Sequence, residues 1–562
     1  MDYQTNCQAW KDFMQWDANM YKELSVIRDE KELEDRFYTD LAFGTAGMRG
    51  KIGMGTNRMN IYVVARATQG LAQYLLAADP ANAEKGVAIA YDSRNFSPEF
   101  AQIAAQVLAA NGITAYLFDS LRPVPVLSFT VRHLKTAAGI AVTASHNPKI
   151  YNGYKVYGPD GGQITAEVAN AVVAEIDKIE DYFGVKLAAI DDEHIITIGP
   201  EVDDAFAAAV EGVAHANPGS DLKVIYTPIH GSGNVPVRRV LADLGYKNVV
   251  VVKEQEQPDG NFPTVSYPNP EEKSVFNIAI AMAEKDGADV IIGTDPDCDR
   301  VGVVCRKSNG DYVVFTGNQT GALLVDYMLK TRDYPDNKAV IKTIVTSEMG
   351  GVIARAQGAA VYDVLTGFKY IGEKMTQWKE SGEHTFVIGY EESYGYLAGD
   401  YARDKDAVLA SALVCEMAHY YKQKGMTLYE ALEDLYAQHG FFLENVQAIT
   451  LEGIEGKAKI NTIMEQFRST HFDGFADEKL VVFNDYQTGE SIDLETGVKT
   501  RIDLPKSNVL KFVFDKNSWY ALRPSGTEPK LKIYYSVVGT SHEDAEAKLS
   551  VLKEAVAANI PE

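Results

Sequence analysis

Three aspartates stand within five residues in the segment ADVIIGTDPDCDRVGVV, at residues 288–304. Asp295, Asp297 and Asp299 directly follow an apolar run that predicts a buried strand. Carboxylates this close repel one another unless a cation lies among them. Oxygen ligands select a hard ion, above all Mg²⁺ when a phosphate oxygen completes the coordination. An EF-hand is excluded, because arginines occupy the positions at which that loop needs glycine and glutamate. A solvated acidic turn is the alternative, and the position at a strand end favours the metal.

A second polar loop follows another predicted strand, in GIAVTASHNPKIYNGYKVYGPDGGQI at residues 139–164. The apolar run ends at Thr143 and leads to Ser145, with His146 beside it and Lys155 further along. A serine hydroxyl needs a base or a charge-stabilising group before it acts as a nucleophile. Ser-His-Asn-Pro alone is more typical of a turn in which serine and asparagine bond their own backbone. This loop therefore indicates a nucleophile only in combination with other loops.

A third polar loop carries groups that suit a phosphorylated sugar, in FVIGYEESYGYLAGDYARDKDA at residues 386–407. Carboxylate and hydroxyl groups there suit hydrogen bonds to sugar hydroxyls, and its cations suit a phosphate. The segment TGFKYIG, at residues 366–372, stands just upstream. The substrate-binding candidates of these two segments are Thr366, Gly367, Lys369, Glu391, Ser393, Arg403 and Lys405. Considered alone, they are more typical of a charged surface loop.

A fourth loop, LRPSGTEPKLKIYY at residues 522–535, has the composition of a phosphate-binding site. Arg523, Ser525, Gly526 and Thr527 offer a guanidinium fork, two hydroxyls and unhindered backbone N–H groups, and Lys530 follows closely. A plain β-turn shares the Pro-Ser-Gly sequence and is the alternative.

Recurring strand–helix–strand patterns predict the framework that positions these loops. The three copies span residues 86–118, 222–252 and 339–365. Units of this length imply parallel strands with right-handed crossovers, and hence three α/β domains in tandem. After about residue 440 the runs shorten and end in a helix, which predicts a smaller α+β domain. The predicted domains are 1–205 with the serine loop, 206–325 with the metal loop, 326–440 with the sugar-binding loop and 441–562 with the phosphate-binding loop.

Composition limits the class of protein. A chain of 562 residues is too long to fold around one hydrophobic core. Its 46% apolar and 23% charged residues are typical of a globular protein in water. No apolar stretch approaches the ~18 residues of a membrane-spanning helix, and the opening residues lack the basic start and apolar run of a signal peptide. The four cysteines are scattered without metal-binding spacing, which predicts free, partly buried thiols and a cytoplasmic location.

The formal net charge of −24 argues against a nucleic-acid or membrane partner, because both require a broad basic surface. The same charge repels a phosphorylated substrate. A site for such a substrate must therefore concentrate its cations locally, as the candidate loops do.

Together, the four loops resemble the α-D-phosphohexomutase family. The family's T-x-S-H-N-P motif is matched at residues 143–148, its D-x-D-x-D-R motif at 295–300 and its R-x-S-x-T motif at 523–527. Its sugar-binding G-E-x-S motif is matched by Glu391 and Ser393, with one extra residue after the glycine. The resemblance covers essentially the whole chain, with one motif in each predicted domain.

The segment FGTAGMRG places Arg49 where the family keeps an arginine near the nucleophile. This segment and YNGYKVYGPDGGQI are most similar to the subgroup that contains bacterial phosphoglucomutases and phosphopentomutases. Some members carry a histidine just after the sugar loop, whereas this chain has Gly395 there, so no acid–base role passes to that position.

The resemblance implies three α/β domains with mixed sheets and a C-terminal α+β domain, arranged around a central cleft. It implies that phosphorylated Ser145 exchanges its phosphoryl group with a sugar phosphate, with glucose 1,6-bisphosphate as intermediate and activator. Mg²⁺ is then held by the phosphorylated Ser145 and the three aspartates. His146, Lys155 and Arg49 are the implied catalytic groups, with the identity of the base left open, and Arg300 stabilises charge.

The expected reaction is the interconversion of glucose 1-phosphate and glucose 6-phosphate, with mannose phosphates as slower substrates. A phosphopentomutase, a Mg²⁺-dependent sugar phosphatase and a catalytically silent sugar-phosphate sensor are the alternatives. We expect no nucleic-acid or membrane partner, and a monomer or weak homodimer.

Overall fold

The structure is a computed structural model that describes residues 2–14, 18–451, 453–470, 472–525 and 530–560. The chain folds into two compact units. Unit 1 comprises Met1–Thr316, Ile371–Phe386 and Ser393–Thr427, and unit 2 comprises Gly317–Tyr370, Val387–Glu392 and Leu428–Glu562.

The first α/β sheet lies in unit 1. Its segment contains α1 (Tyr3–Met14), α2 (Ala18–Val26), α3 (Glu30–Phe37), β1 (Gly47–Lys51), α4 (Ile61–Ala78), α5 (Asn82–Lys85), β2 (Val87–Tyr91), α6 (Ser97–Ala110), β3 (Ala115–Phe118), α7 (Val124–Leu134), β4 (Ala138–Val142), β5 (Tyr151–Tyr157), α8 (Ala166–Ile176), β6 (Ile195–Ile198) and α9 (Pro200–Glu211). The strand order is β1-β5-β4-β2-β3-β6. β4, β2, β3 and β6 are parallel, whereas β5 and β1 run antiparallel to their neighbours. The buried strand residues pack against α4 and α6, because those helices turn apolar faces that include Leu71 and Leu108 towards this core.

The second α/β sheet also lies in unit 1. Its elements are β7 (Val224–Thr227), α10 (Asn234–Asp243), β8 (Val249–Val251), α11 (Lys253–Glu256), a 3₁₀ helix (Lys273–Phe276), α12 (Asn277–Asp286), β9 (Val290–Thr294), β10 (Val301–Arg306) and β11 (Tyr312–Val314). The order is β11-β10-β9-β7-β8, with β7 parallel to both β8 and β9 and with β10 antiparallel to its neighbours. All five residues of β9 are buried, which explains its continuous apolar sequence.

The third α/β segment contains α13 (Gly317–Thr331), β12 (Lys338–Thr343), α14 (Glu348–Ala356), β13 (Ala360–Val364), α15 (Phe368–Ser381), β14 (Thr385–Glu391), β15 (Gly395–Ala398), α16 (Ala407–Gln423) and α17 (Leu428–His439). β12 lies between β13 and β14 and runs parallel to β13. In each of the three segments, the predicted strand–helix–strand copy is confirmed as a parallel pair of strands.

The C-terminal segment lies in unit 2 and is an antiparallel sheet with helices. Its elements are β16 (Phe441–Thr450), α18 (Gly453–Ser469), β17 (Gly474–Phe475), β18 (Glu478–Asp485), β19 (Glu490–Asp493), β20 (Lys499–Arg501), β21 (Leu510–Phe514), β22 (Trp519–Pro524), β23 (Lys530–Gly539) and α19 (His542–Ala558). The main order is β16-β23-β22-β21-β18-β19-β20. Phe467 of α18 and Leu552 of α19 pack with Phe512 and Tyr520 of the sheet in one apolar core. The predicted fold class, three α/β sheets followed by an α+β segment, is confirmed.

The cysteines are free, as predicted, and all four are buried rather than partly buried. Across the described ranges, the helices include none that is both long and apolar enough to cross a membrane.

Candidate active site

The serine loop (residues 143–151) and the metal loop (residues 295–300) meet in unit 1. β4 ends at Val142 and β9 at Thr294, so both loops leave the carboxyl ends of sheet strands, where open α/β sheets bind ligands. The Ser145 hydroxyl donates a hydrogen bond to Oδ2 of Asp295 over 3.0 Å. The two loops that the sequence predicted to act together are therefore in direct contact.

Ser145 has a strained and well-anchored backbone. Its φ of 51° is in the left-handed region, which costs a non-glycine residue about 1–2 kcal/mol. Its N–H donates to Oγ1 of Thr143 at 2.8 Å, and its own Oγ lies 3.1 Å from Nδ1 of His146. Since Ser145 is also almost fully buried, the surrounding contacts fix the direction of its hydroxyl.

The three aspartates of the metal loop form one buried cluster. One carboxylate oxygen from each of them lies within 4.8 Å of the others. Nζ of Lys155 is 2.9 Å from Oδ2 of Asp297, and Nζ of Lys405 is 3.1 Å from Oδ2 of Asp299. Two predicted cations therefore compensate part of the carboxylate charge.

The electrostatic environment shifts the pKa values of the three carboxyl groups in different directions. Burial, together with the charges of its two neighbours, raises the pKa of Asp295 well above its usual value. Burial also raises the pKa of Asp299, with Asp297 adding to the effect. Burial acts in the same direction on Asp297, but the charge and hydrogen bond of Lys155, with smaller contributions from Asp295 and Lys405, together hold the pKa of Asp297 below its usual value.

The cluster fits a metal ion. Oδ1 of Asp297 and Oδ1 of Asp299 are buried and accept no hydrogen bond from any residue that the structure describes. A buried carboxylate oxygen without a donor is costly, and a cation bound to it removes that cost. Because all the donors are oxygen atoms, the cluster suits a hard cation.

The other predicted groups of this site lie in the serine loop or near it. Arg49 is exposed, and its Nη1 donates to Oδ1 of Asn147 at 2.8 Å. Arg300 lies between Glu271, 2.9 Å from its Nη1, and Asp299, 3.7 Å from its Nε. Burial, followed by the charges of Arg300 and Arg49, lowers the pKa of His146 well below its usual value.

Asp404 supports Lys405, which sequence reasoning did not anticipate. Oδ1 of Asp404 accepts a hydrogen bond from Nζ of Lys405 at 3.0 Å, and its Oδ2 accepts one from the Tyr157 hydroxyl at 2.8 Å. The signal in the sequence was the acidic neighbour within Arg-Asp-Lys-Asp.

Arg403 is not brought to the carboxylate cluster. Its guanidinium is fully buried and donates to Thr376 and to the carbonyl and carboxylate oxygens of Asp400. Its predicted role in substrate binding stays a prediction, for which these contacts give no support.

The sugar-loop residues are divided between the units. In unit 2, the Gly367 N–H donates to Oε1 of Glu391 at 3.0 Å, so the two predicted segments meet there. Oγ1 of Thr366 is buried and has no hydrogen-bond partner among the described residues, whereas Lys369 lies 5.1 Å from the Tyr370 ring. Ser393 lies in unit 1, partly buried, at the turn that follows β14.

The predicted phosphate loop lies in unit 2. Nη1 of Arg523 is 3.5 Å from the Tyr534 hydroxyl, and the Ser525 N–H donates to the Lys530 carbonyl at 2.8 Å. Gly526 and Thr527 lie outside the described residues.

Comparison with known protein families identifies three domains. Residues 40–183, 204–310 and 316–439 match the alpha/beta/alpha domains I, II and III of phosphoglucomutase/phosphomannomutase. The predicted boundaries at 205, 325 and 440 stay predictions, because a matched range does not define where a domain ends.

Curated relatives match nearly the full length. The chain is 39% identical to a phosphoglucomutase of Staphylococcus epidermidis (strain RP62A) over 94% of this chain and 96% of that protein. It is 39% identical to a phosphoglucomutase of Staphylococcus aureus (strain bovine RF122 / ET3-1), over 95% and 99% of the two chains. A crystal structure of a phosphoglucomutase/phosphomannomutase family protein from Burkholderia thailandensis shares the fold, with a TM-score of 0.68, 19% identity and coverage of 92% and 97%. This chain belongs to the phosphoglucomutase/phosphomannomutase family of α-D-phosphohexomutases.

Proposed function

We propose that the chain is a phosphoglucomutase, which interconverts glucose 1-phosphate and glucose 6-phosphate through phosphorylated Ser145. The observation that carries the proposal is the 3.0 Å contact between the Ser145 hydroxyl and Asp295 in the three-aspartate cluster. Nearly full-length relatives named phosphoglucomutase support the choice of reaction. In the same proposal, glucose 1,6-bisphosphate is the intermediate and the activator.

We propose Mg²⁺ as the ion, held by Asp295, Asp297, Asp299 and the phosphorylated Ser145. When bound, Mg²⁺ supplies charge neutralisation for the phosphoryl group in transfer. Lys155 and Lys405 already contact the Oδ2 atoms of Asp297 and Asp299, and Arg300 lies beside Asp299. These cations suit an anionic substrate on a chain of strongly negative net charge.

Two phosphoryl transfers complete the reaction. Starting from glucose 1-phosphate, the Oγ–P bond of phospho-Ser145 breaks, a bond from phosphorus to sugar O6 forms, and the O6 proton passes through a protein base to Oγ of Ser145. The bisphosphate then reorients. Its O1–P bond breaks, the phosphoryl group returns to Oγ of Ser145, and O1 takes the proton, which leaves glucose 6-phosphate. Lys155, His146 and Arg49 are the proposed groups for proton transfer and charge stabilisation.

The remaining residues are proposed to hold the sugar phosphate. O3 and O4 of glucose exchange places when the intermediate turns over, so the same protein groups can bind them in both orientations. We assign these contacts to Glu391 and Ser393, and we propose Thr366, Gly367 and Lys369 as further substrate-binding residues. Arg523, Ser525, Gly526 and Thr527 are assigned to the phosphate that is not being transferred. The proposed partner is this small substrate, without nucleic acid or membrane, and the proposed assembly is a monomer or weak homodimer.

A coupled assay with glucose 1-phosphate, mannose 1-phosphate and ribose 1-phosphate tests the reaction. We expect the highest kcat/KM for glucose 1-phosphate, a lower value for mannose 1-phosphate, and no release of inorganic phosphate. Glucose and mannose differ only at C2, whereas a pentose leaves sugar-binding groups unpaired at a cost of about 1–3 kcal/mol each. A preference for ribose 1-phosphate would identify a phosphopentomutase instead, and stoichiometric phosphate release would identify a phosphatase.

Substitution of the nucleophile tests the mechanism. Ser145→Ala is expected to lower kcat by several orders of magnitude, as loss of a covalent nucleophile does in other enzymes. Ser120→Ala, which changes an exposed serine after β3 of the same sheet, is the matched control. Phosphopeptide mapping should find phosphate on Ser145. Full activity of Ser145→Ala would end the phosphoserine mechanism.

A further inference from the structure

The guanidinium of Arg94 is bound to the backbone of the serine loop. Its Nη2 donates to the carbonyl oxygens of Ser145 and Asn147, and its Nη1 donates to those of Pro148 and Tyr151, at 3.0 and 3.1 Å. The four Nη hydrogens of one arginine therefore match four carbonyl groups within seven residues. Arg94 itself is completely buried, with 0% of its side chain exposed.

Arg94 is held in place from two directions. Its Nε lies 3.3 Å from Oδ2 of Asp92, which follows β2 directly and carries the countercharge. Its guanidinium also lies over the ring of Phe262, 5.1 Å from the ring centre, in the segment that follows α11. A cation stacked on an aromatic ring and paired with a buried carboxylate has little freedom to move.

Every polar group of the Ser145 backbone and side chain is consequently fixed. Its carbonyl binds Arg94, its N–H binds Oγ1 of Thr143, and its hydroxyl binds Asp295. The left-handed φ of Ser145 persists only while such contacts outweigh its strain. The contact to Arg94 spans the whole loop, whereas the contact to Thr143 is local.

We propose that Arg94 is a positioning residue for phosphoryl transfer, which holds the serine loop so that Oγ of Ser145 faces the carboxylate cluster. This inference rests on the proposed function. Arg94 does not contact the reacting atoms and acts through the backbone of Ser145. Only a planar fork can bridge four carbonyls in this way, so a lysine at position 94 keeps the charge but not the geometry.

Arg94→Lys tests the proposal by two measurements. Because a misplacement of about 1 Å can cost about 10²-fold in rate, we expect kcat to fall about 10²-fold. We expect KM for glucose 1-phosphate to change less than about threefold, because the proposed substrate-binding residues are left intact. Phosphorylation of Ser145 by glucose 1,6-bisphosphate should slow by the same factor as kcat. Hydrogen exchange of the amides in residues 145–151 should accelerate, and this second measurement does not depend on activity.

Arg58→Lys is the matched control. Arg58 is also buried, with 3% of its side chain exposed, and its guanidinium binds the carbonyl and carboxylate groups of Asp35 in α3 and the carbonyl of Asn57. This variant should lose stability but keep kcat and the exchange rates of residues 145–151. A kcat of Arg94→Lys within threefold of the Arg58→Lys value, or unchanged exchange in the loop, would overturn the inference.

Gly260→Ala is the second variant, for the case that Arg94→Lys does not fold. An added Cβ at Gly260 would lie 2.4 Å from the Asn95 nitrogen and 2.9 Å from the carbonyl carbon of Arg94, so it pushes the Phe262 segment away. We expect a fall in kcat of about tenfold and faster exchange in residues 145–151. Gly212→Ala has only ordinary contacts and should change neither, and equal results for the two alanine variants would contradict the proposal.

These readouts separate the inference from the proposed function. Wild-type protein without mutase activity or phosphoserine would end the proposed function, whereas the exchange measurement would still decide whether Arg94 holds the loop. Active wild-type protein with an equally active Arg94→Lys variant would end only the inference.

Discussion

Removal of the Thr143 hydroxyl is the most direct test of how the serine loop is built. Oγ1 of Thr143 accepts the Ser145 N–H at 2.8 Å and lies 2.6 Å from Oδ2 of Asp92 and 3.1 Å from Oδ2 of Asp297. Since a hydroxyl has one hydrogen, it donates to one carboxylate at a time, and the shorter distance favours Asp92. Thr143→Val keeps the shape of the side chain and deletes all of these contacts.

The magnitude follows from the groups that lose their partners. The buried N–H of Ser145 is left without its acceptor, at a cost of about 1–3 kcal/mol. The buried carboxylate of Asp92 loses a charge-assisted hydrogen bond, at about 1.5–3 kcal/mol. The extra methyl group of valine returns about 0.8 kcal/mol. We therefore expect Thr143→Val to lose about 2–5 kcal/mol of stabilising free energy in total. If about 2.7 kcal/mol of this loss raises the activation free energy, kcat falls about 10²-fold.

The assay compares three variants by steady-state kinetics and thermal unfolding. Thr143→Ser retains the hydroxyl and should keep most of kcat. Thr130→Val is the matched control, because Thr130 is also buried but its hydroxyl donates only to the Val126 carbonyl of its own helix. If Thr143→Val keeps the same kcat as Thr130→Val, the hydrogen-bonded hydroxyl does not position Ser145 and the reasoning is wrong.

Three further predictions concern the pH dependence of stability, the metal and the buried charges of unit 2. Burial raises the pKa of Glu444 from 4.5 to about 7, so the folded protein keeps a proton that the unfolded chain has lost, and stability falls by up to about 3 kcal/mol as pH rises through that window. Glu444→Gln should therefore raise the Tm at pH 8 but not at pH 4.5, whereas the exposed control Glu546→Gln should change it at neither pH. Excess chelator should abolish mutase activity reversibly, and Asp297→Asn should raise the Mg²⁺ concentration needed for half-maximal activity; undiminished turnover in chelator would falsify the metal assignment. Glu348 accepts hydrogen bonds from two buried lysines, at 3.0 and 3.1 Å. Glu348→Gln should therefore lower the free energy of unfolding in urea by about 3–5 kcal/mol, and Lys511→Met should lower it clearly less. The reverse order would contradict this account.

The fold and the position of each central loop at a strand end were predictable because they depend on chain-local patterns. Apolar runs of strand length, each followed by an amphipathic helix, specify parallel pairs wherever a short crossover connects them. Open α/β sheets bind ligands at the carboxyl ends of their strands, so Ser145 after β4 and Asp295 after β9 were each candidates for a site at the edge of their own sheet. That the two loops act together was implied by the family resemblance. Three adjacent carboxylates added a charge argument that no ordinary turn explains.

The role of a cationic side chain depends on its tertiary partners, which its position in the sequence does not specify. Arg403 and Lys405 stand two residues apart in Arg-Asp-Lys, and both suit a phosphate. In the folded chain, Arg403 donates hydrogen bonds to Asp400 and Thr376. Lys405 instead binds Asp404 and Asp299. In an extended segment, residues two apart point to the same face, so local alternation does not explain why these two cations diverge. Only tertiary contacts decide which of them reaches the cluster.

Arg94 shows a different limit of prediction from sequence, because its partners in the serine loop are carbonyl groups rather than side chains. A side-chain partner leaves a residue type in the sequence, as the aspartates do for Lys155 and Lys405. Every residue has a carbonyl, so four of them around one guanidinium leave no trace in composition or spacing. The remaining signal is position: Arg94 follows β2, the parallel neighbour of β4, so that its loop and the serine loop leave the same edge of one sheet. A charged residue in the loop after a strand next to the nucleophile's strand is therefore a candidate for positioning the nucleophile, even when no motif includes it.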